Sequence, residues 1–461
     1  MKRFLSRCLL PAALALIAAP ARAGETLPKT DRPPAAVAAT EGARERGGEG
    51  VTQEHSAEAA GGAGLAPAPP RPLAPSPSRA RKSLLATLLQ EAGGGAAPSG
   101  GEGSSGQEGG GGGVRWSGSG ELLWWGRVGG TFSQGIFADR TENSQFKVTH
   151  FHPKLSASLG RRGSAYIEGC VTHPRVGTQA EQAWVEYSAG EKLNLQGGRI
   201  LVPFGHWNVI HDVYDHKTIS YPLMYVGHEE TEVELLGGPA PILSTGYSDI
   251  GALLYGSIWL SGDDQLWYGG YAVNGRFGTG DIEWLDLWNN QEDNNSNKAL
   301  GGRLVYSRGD NLTLGTSYQT GRFDPENRLR YQMTGFDVYY RIADRYNLRV
   351  EWVRNPVDST ERGYTKTGWY AMLDFPLSPR DELVVSVAGL RRHPAQRVEN
   401  VAHYTVGVNR RLTNSLKLKT ELSYLRIGNF VGDPTDTDGD ALFGTDFDDV
   451  VRVKASLVAI F

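Results

Sequence analysis

The sequence has few cysteines, no basic excess and few long apolar runs, and each scarcity excludes a class of protein. Two cysteines in 461 residues exclude a disulfide-built secreted domain, which uses many cross-links in place of a large core. A formal net charge of −4 leaves no surplus of cations to neutralise phosphates, so no nucleic-acid partner is expected. Beyond the N-terminal region, no segment supplies the roughly 18 continuous apolar residues of a transmembrane helix.

The N-terminus has the pattern of a secretory signal peptide. A basic start is followed by an apolar stretch over 8–20 and by small residues at Ala21 and Ala23, the spacing that a signal peptidase requires. The apolar stretch is too short to span a bilayer, which disfavours the alternative of an uncleaved anchor helix. We therefore predict a signal peptide over 1–23 and an exported protein. Its removal leaves Cys170 as the single cysteine.

A long low-complexity stretch follows the signal peptide. From 24 to 114 the composition is dominated by alanine, glycine, proline, serine and glutamate, and there is no aromatic residue. Such a stretch buries too little apolar surface to offset chain entropy, so we predict a disordered extension. Within it, 83–91 has the pattern of a short amphipathic helix, which is either transient within a linker or dependent on a partner.

From residue 115 onwards the sequence changes to short segments in which apolar and polar residues alternate. This period of two is typical of β-strands that present different faces to two environments. We predict sixteen strands, over 120–125, 147–159, 164–171, 181–188, 193–200, 250–260, 265–274, 300–307, 311–319, 335–342, 346–354, 366–375, 382–390, 402–411, 415–427 and 450–461.

The connections between these predicted strands alternate between short and long. Short turns such as 160–163, 189–192 and 261–264 follow the even-numbered strands. Bacterial outer-membrane barrels have this arrangement, with short periplasmic turns and longer extracellular loops, whereas a soluble sandwich does not sort its loops by parity. We therefore predict an all-β fold, a transmembrane antiparallel β-barrel of about sixteen strands over 115–461. The predicted location is the bacterial outer membrane, in contact with its lipid.

The faces of the last predicted strand support this interpretation. Val453 and Leu457 lie on one face, and Arg452 and Lys454 lie on the other. A membrane barrel directs its apolar face to lipid and keeps a polar inner face. The C-terminal Phe461 closes the strand and resembles the signal read by the outer-membrane assembly machinery.

The longest predicted connection inside the barrel region follows the fifth strand, over 201–249. A connection of this length in a compact domain is usually functional. Four of the ten histidines lie within it, namely His206, His211, His216 and His228.

The start of this connection resembles a known family. The run Gly198-Arg199-Ile200-Leu201-Val202-Pro203-Phe204-Gly205, followed by histidine, aspartate and a Tyr-Pro-Leu segment, is similar to the phosphate-selective porin O/P family and its relatives. The resemblance implies a homotrimeric, 16-stranded outer-membrane porin: a water-filled channel for passive diffusion of small hydrophilic solutes or anions. It also implies that the loop 201–248 folds into the lumen and sets the constriction.

Strand alternation and this loop together assign candidate residues to the pore. The predicted constriction and lumen residues are Arg199, His206, His211, His216, Lys217, Arg303, Arg349, Lys417, Lys419, Arg452 and Lys454. Strand alternation alone gives these inward basic candidates: Arg127, Lys147, Lys154, Arg199, Arg303, Arg341, Arg349, Lys366, Arg411, Lys417, Lys419, Arg452 and Lys454. The inward acidic candidates are fewer: Glu121, Glu168, Glu186, Asp337, Glu351, Asp374 and Glu421. A basic excess predicts a weak anion preference. The alternative is a mixed-charge lumen with internal salt bridges, because a slip of one residue exchanges the faces of a strand.

Other kinds of chemistry find little support in the sequence. There is no nucleophile elbow, P-loop or dinucleotide fingerprint, so we expect neither an enzyme nor a cofactor. No metal site is assigned, because the loop histidines lack the spacing of a zinc motif. The acidic stretch 433–449 is either a solvated loop or a loose calcium site. The alternative function is a structural or binding barrel that acts through its extracellular loops, and the tryptophan-rich segment 282–288 favours it.

Overall fold

The computed structural model describes residues 114–129, 145–173, 177–210, 212–226, 242–244, 246–279, 282–284, 293–343, 345–360, 363–391, 398–430 and 450–461. The predicted signal peptide, the low-complexity extension with its amphipathic segment, and the acidic stretch 433–449 lie outside these residues. Within the described parts of the chain, no helix combines the length and apolar character needed to cross a bilayer.

Sixteen antiparallel strands form a closed barrel, which confirms the predicted fold. In chain order they are β1 Val114–Gly129, β2 Gln145–Leu159, β3 Gly163–His173, β4 Gly177–Gly190, β5 Leu193–Leu201, β6 Ser248–Ser261, β7 Asp264–Val273, β8 Ala299–Arg308, β9 Leu312–Arg322, β10 Arg330–Ile342, β11 Tyr346–Val357, β12 Tyr364–Pro376, β13 Asp381–Arg391, β14 Val398–Arg411, β15 Leu416–Phe430 and β16 Val450–Ile460.

The barrel closes where β1 pairs with β16. Leu122 lies opposite Leu457 in this ladder. The backbone N–H of Gly118 donates to the carbonyl of Phe461 at 2.8 Å, and the N–H of Phe461 donates to the carbonyl of Gly118 at 3.0 Å. The ring of Phe461 stacks on Phe151, with 5.7 Å between centroids. Closure removes the unpaired edges that an open sheet would expose.

The outer face of the barrel is apolar. Large hydrophobic side chains point outward from strands around the barrel, for example Ile167, Val185, Leu304, Phe336, Val406 and Leu457. Their neighbours in sequence, such as Arg303 and Val305 beside Leu304, are buried on the inner face. This is the reverse of a soluble barrel and suits contact with lipid, since an apolar surface of this extent is unfavourable in water.

The two ends of the barrel differ in the length of their connections. At one end, turns of two to four residues join β2 to β3, β4 to β5 and every later even-numbered strand to the strand that follows it, up to β14 and β15. Both Val114, which begins β1, and the C-terminal Phe461 lie at this short-turn end, because β1 leads away from it and β16 leads back. The longer connections lie at the opposite end.

The described residues of the connection between β5 and β6 lie in the interior of the barrel. The connection contains the one-turn helix α1, His206–Val209, and two short strands, Tyr225–Val226 and Leu243–Ser244, which pair in parallel. Its apolar side chains join a buried cluster with side chains from the inner wall. We call the described residues 202–226 of this connection the inner loop.

Candidate pore constriction

Aromatic packing fixes the inner loop against one part of the wall. Phe204 and Trp207 are fully buried there. The Trp207 ring meets Tyr370 of β12 edge-on, with 5.7 Å between centroids, and His216 stacks on its face at 4.4 Å. Rings of this size bury a large apolar area, so they hold the loop by shape. We call the wall of β9–β12 the aromatic flank.

The wall leaves space for the loop at glycine positions. A Cβ built on Gly368 of β12 would lie 2.4 Å from the Cβ of Met224. Within the loop, Gly205 has a φ of +71°, and a Cβ there would lie 2.0 Å from Oε1 of Glu351. A residue with a side chain would be strained at Gly205 by its backbone conformation and excluded by this contact.

A buried carboxylate on the aromatic flank accepts hydrogen bonds from the loop. Glu351 of β11 accepts from the backbone N–H of Trp207 at 3.1 Å and from the hydroxyl of Tyr225 at 2.5 Å. The N–H of Gly205 donates to Oγ of Ser317 on β9 at 3.1 Å. Buried polar groups need such partners, so these bonds satisfy the loop backbone inside the barrel.

A second carboxylate anchors the following part of the loop on the neighbouring part of the wall. Glu421 of β15 accepts from the backbone N–H groups of Ile219 at 2.7 Å and Ser220 at 3.1 Å, and also from the Ser220 hydroxyl. Lys454 of β16 donates to Oγ of Ser220 at 2.8 Å. Hydrogen bonds to charged groups are stronger than those between neutral groups, so these bonds hold this part of the loop tightly.

Lysines extend this second anchor toward the short-turn end. Lys419 donates to the carbonyl of Val213 at 2.5 Å, and Lys417 donates to the carbonyl of Tyr214. Lys217 of the loop pairs with Glu382 of β13 at 2.7 Å. We call the wall of β13–β16 the ionic flank, since its contacts with the loop are polar and charged.

An ion pair joins the inner loop to a third part of the wall. Nζ of Lys154 on β2 lies 2.5 Å from Oδ2 of Asp212. Burial would raise the pKa of Asp212, but the Lys154 ammonium and the backbone N–H of Tyr214 outweigh it and hold the pKa at about 2. Asp212 is therefore ionised throughout the ordinary pH range.

His206 of α1 is also buried, but its surroundings favour the neutral form, in contrast to those of Asp212. Desolvation lowers its pKa to about 4; Asp337 opposes this shift, while Arg349 and Arg303 add to it. The imidazole is therefore neutral at neutral pH, and its ring stacks near Tyr339 with 6.1 Å between centroids.

The structure places most of the predicted pore residues on the inner face or in the inner loop. Arg303 pairs with Asp337 at 2.8 Å, and Arg349 pairs with Asp374. The other predicted residues found there are Arg199, His206, His216, Lys217, Lys417, Lys419, Arg452 and Lys454. His211 lies outside the described residues.

These residues do not form one continuous basic ring. Arg199 donates to the carbonyl of Glu181 and to Ser248, both at 3.2 Å, far from the ionic flank in the strand order. Among the described residues, the buried charged side chains are eight basic and nine acidic ones, so this buried set has no basic excess. The mixed-charge arrangement matches the alternative that the sequence left open.

Sequence reasoning missed the anchoring role of several residues. Alternation placed Glu351 and Glu421 on the inner face, but nothing in the sequence paired them with loop residues more than a hundred positions away. Glu382 was not among the predicted residues, and Lys154 was predicted only as an inward basic side chain, without its partner Asp212. The one available signal was their polarity within strands whose other face is apolar.

Comparison with known proteins gives a consistent picture of the fold. No protein-family model matches the sequence, and no curated protein matches it. Among solved structures, an anion-selective porin from Comamonas acidovorans is similar, with a TM-score of 0.54, 12% identity, and coverage of 76% of this chain and 100% of that one. The outer-membrane channel DcaP of Acinetobacter baumannii has a TM-score of 0.51 at 10% identity, covering 76% and 98%. At these identities the likeness shows a shared porin-type barrel fold.

Proposed function

We propose that the protein is an outer-membrane channel for the passive diffusion of small hydrophilic solutes, rather than an enzyme. The observation that carries this proposal is the inner loop, which narrows the interior of a closed barrel whose outer face is apolar. A barrel with an apolar exterior can sit in a bilayer, and its polar interior can carry water across it. Because outer-membrane barrels have their short turns on the periplasmic side, the short-turn end faces the periplasm.

Conductance in planar bilayers tests the proposal. Purified folded protein should insert and give stepwise current increments of uniform size. Heat-denatured protein from the same preparation is the control, and it should give none. Folded protein that inserts without any conductance would contradict the proposal.

We further propose a modest anion preference. Its support is a local group of lysines on the ionic flank, Lys417, Lys419 and Lys217. Asn409 lies opposite Lys419 in the β14–β15 ladder and donates to the carbonyl of Lys217 at 2.8 Å, so these lysines occupy one region. Lys417 and Lys419 donate to backbone carbonyls, whereas Lys217 is paired with Glu382. Charge of one sign near a narrow point biases the ions that pass.

Reversal potentials in a salt gradient test this preference. The double substitution Lys417→Gln and Lys419→Gln should shift the potential toward cation selectivity. The control is Lys192→Gln, an exposed lysine in the turn between β4 and β5. An unchanged potential in the double variant would remove the proposed role of these lysines. Competition by inorganic phosphate tests the finer proposal of phosphate selectivity, for which the support is the motif from Gly198 to Gly205.

A homotrimer is the proposed assembly, on the strength of the same motif. Mass measurement by light scattering in detergent should give three chains per particle. A particle of one chain would contradict this part of the proposal and leave the channel function unaffected.

One observation keeps the alternative function open. In the connection between β7 and β8, Phe277–Thr279 pairs with Ile282–Trp284 as a short hairpin at the end opposite the turns. A loop with its own secondary structure suits a contact surface. If the barrel acts through this loop, deletion of 282–297 should abolish the binding of a partner at the cell surface. If it does not, partner binding should be unchanged.

A further inference from the structure

Three side chains of the kinds that bind transition metals meet on the inner wall of the barrel. His152 lies on β2, Cys170 on β3 and Glu181 on β4, so three neighbouring strands each contribute one. The ligand atoms of the three lie within 4.8 Å of one another, and all three side chains are buried. They offer a nitrogen, a sulfur and an oxygen at one point.

A β-bulge directs the carboxylate into this cluster. In the ladder between β3 and β4, Glu168 pairs with Gln182 and Gly169 pairs with Ala180, so Glu181 is the extra residue. Glu181 and Gln182 are adjacent in sequence, yet both are buried on the inner face. Strict alternation would turn Glu181 outward to lipid. Bulges re-aim side chains in this way and are frequent beside functional sites.

The nearest other carboxylate already has its own partners. Glu168 accepts from the hydroxyl of Tyr166 at 3.0 Å and from Nε2 of Gln182 at 2.8 Å, and it lies 3.4 Å from Nζ of Lys154. Lys154 is therefore shared between Glu168 and Asp212, which lies 2.5 Å from its Nζ. Nδ1 of His152 lies 3.5 Å from Oε1 of Glu168 and 3.6 Å from Oε2 of Glu181. Glu181 is the carboxylate that lies within 4.8 Å of both the imidazole and the thiol.

We propose that His152, Cys170 and Glu181 form a binding site for a divalent transition metal of the zinc class. Imidazole, thiolate and carboxylate are ligands that Zn²⁺ accepts, and three protein ligands leave a fourth position for water. The thiol loses its proton on binding, and the thiolate and the Glu181 carboxylate together neutralise the two charges of the ion. The sulfur ligand disfavours Mg²⁺ and Ca²⁺, which require oxygen ligands.

Cobalt titration of the full, folded chain in detergent tests the site independently of channel activity. Cys8→Ser serves as the background, so that Cys170 is the single thiol. Co²⁺ should produce a thiolate-to-cobalt absorption band at one ion per chain, and Zn²⁺ should remove the band by displacement. Cys170→Ser should abolish the band. His152→Asn and Glu181→Gln should each weaken the affinity by at least about tenfold.

The matched control is Glu186→Gln, a carboxylate on the same strand that accepts from the hydroxyl of Tyr255 at 2.5 Å. This variant should titrate as the parent does. A second readout is the alkylation of Cys170, which uses variants that retain the thiol. Bound Zn²⁺ should protect Cys170 from alkylation in the parent, and this protection should be lost in Glu181→Gln. Folded parent protein without the band, or a band of unchanged affinity in both His152→Asn and Glu181→Gln, would overturn the proposal.

Discussion

The inner loop meets two walls of different character. On the aromatic flank, Phe204 and Trp207 pack into a buried apolar cluster with wall side chains such as Tyr370. On the ionic flank, Glu421 and Lys419 bond to the loop backbone. Apolar packing depends on shape and responds little to salt, whereas bonds to charged groups respond to both salt and protonation. The aromatic flank therefore holds the loop mainly by packing, and the ionic flank holds it by bonds that salt and pH can weaken.

Truncation of the aromatic anchor should have the largest effect. Trp207→Ala leaves a cavity where a fully buried ring packed, and such changes cost about 3–5 kcal/mol. The loop should detach more often, which would raise single-channel conductance and increase hydrogen exchange over 202–226. Trp259→Ala, which removes an exposed ring near the short turns, is the control and should leave both unchanged. Unchanged exchange in Trp207→Ala would show that the aromatic flank does not hold the loop.

Acid should loosen the loop through His206. Its pKa is about 4 when docked and 6.5 when exposed to water, so the detached loop binds more protons between these values. Docking should therefore weaken as pH falls from 6.5 to 4 by up to about 3 kcal/mol, and then level off. Hydrogen exchange of the loop across this range measures the effect. His206→Gln should flatten the profile, and a wild-type profile without a slope would contradict the prediction.

Loss of charge at the ionic anchor should have a smaller effect. Glu421→Gln weakens the bonds from Ile219 and Ser220, and hydrogen bonds to charged groups contribute about 1.5–3 kcal/mol. Exchange should rise over 212–220 and much less around Trp207. Glu326→Gln, an exposed glutamate between β9 and β10, is the control. Equal increases over both segments would show that the two flanks act as one unit.

The smallest effect is expected at the pair of Lys154 and Asp212. Lys154 also lies 3.4 Å from Glu168, so its charge keeps a partner when Asp212 is replaced, and Asp212→Asn should cost about 1 kcal/mol. The pKa of Asp212 is lowered to about 2, so its contribution is complete above pH 4 and is lost as pH falls through 2. The loop of Asp212→Asn should thus keep the wild-type response to pH between 4 and 7. A changed response in that window would place the acid sensitivity here rather than at His206.

The barrel was predictable because its signals are local. Alternation along each strand and the parity of the connections gave all sixteen strands. Their lengths were less accessible: the first was predicted over 120–125 but extends over Val114–Gly129, because pairing with two neighbours decides where a strand ends. The inward position of the loop was predicted from a motif, and the structure places it there.

The contacts that hold the loop could not be predicted in the same way. Glu421 and Ser220 are 201 positions apart, and only closure of the barrel brings them together. A single extra residue at a bulge also reverses an alternation argument, as Glu181 shows. The basic excess inferred from the faces failed to appear among the described buried residues because acidic side chains of the wall and loop are buried beside the basic ones.

The central claim is that the inner loop forms the narrowest part of a channel. Replacing 206–220 with a short glycine-serine linker, which the barrel should tolerate because its strands stay paired, tests this most directly. Single-channel conductance in planar bilayers should rise severalfold over the parent, with weaker ion selectivity. Conductance equal to that of the parent, from variant protein shown to be folded, would contradict the account.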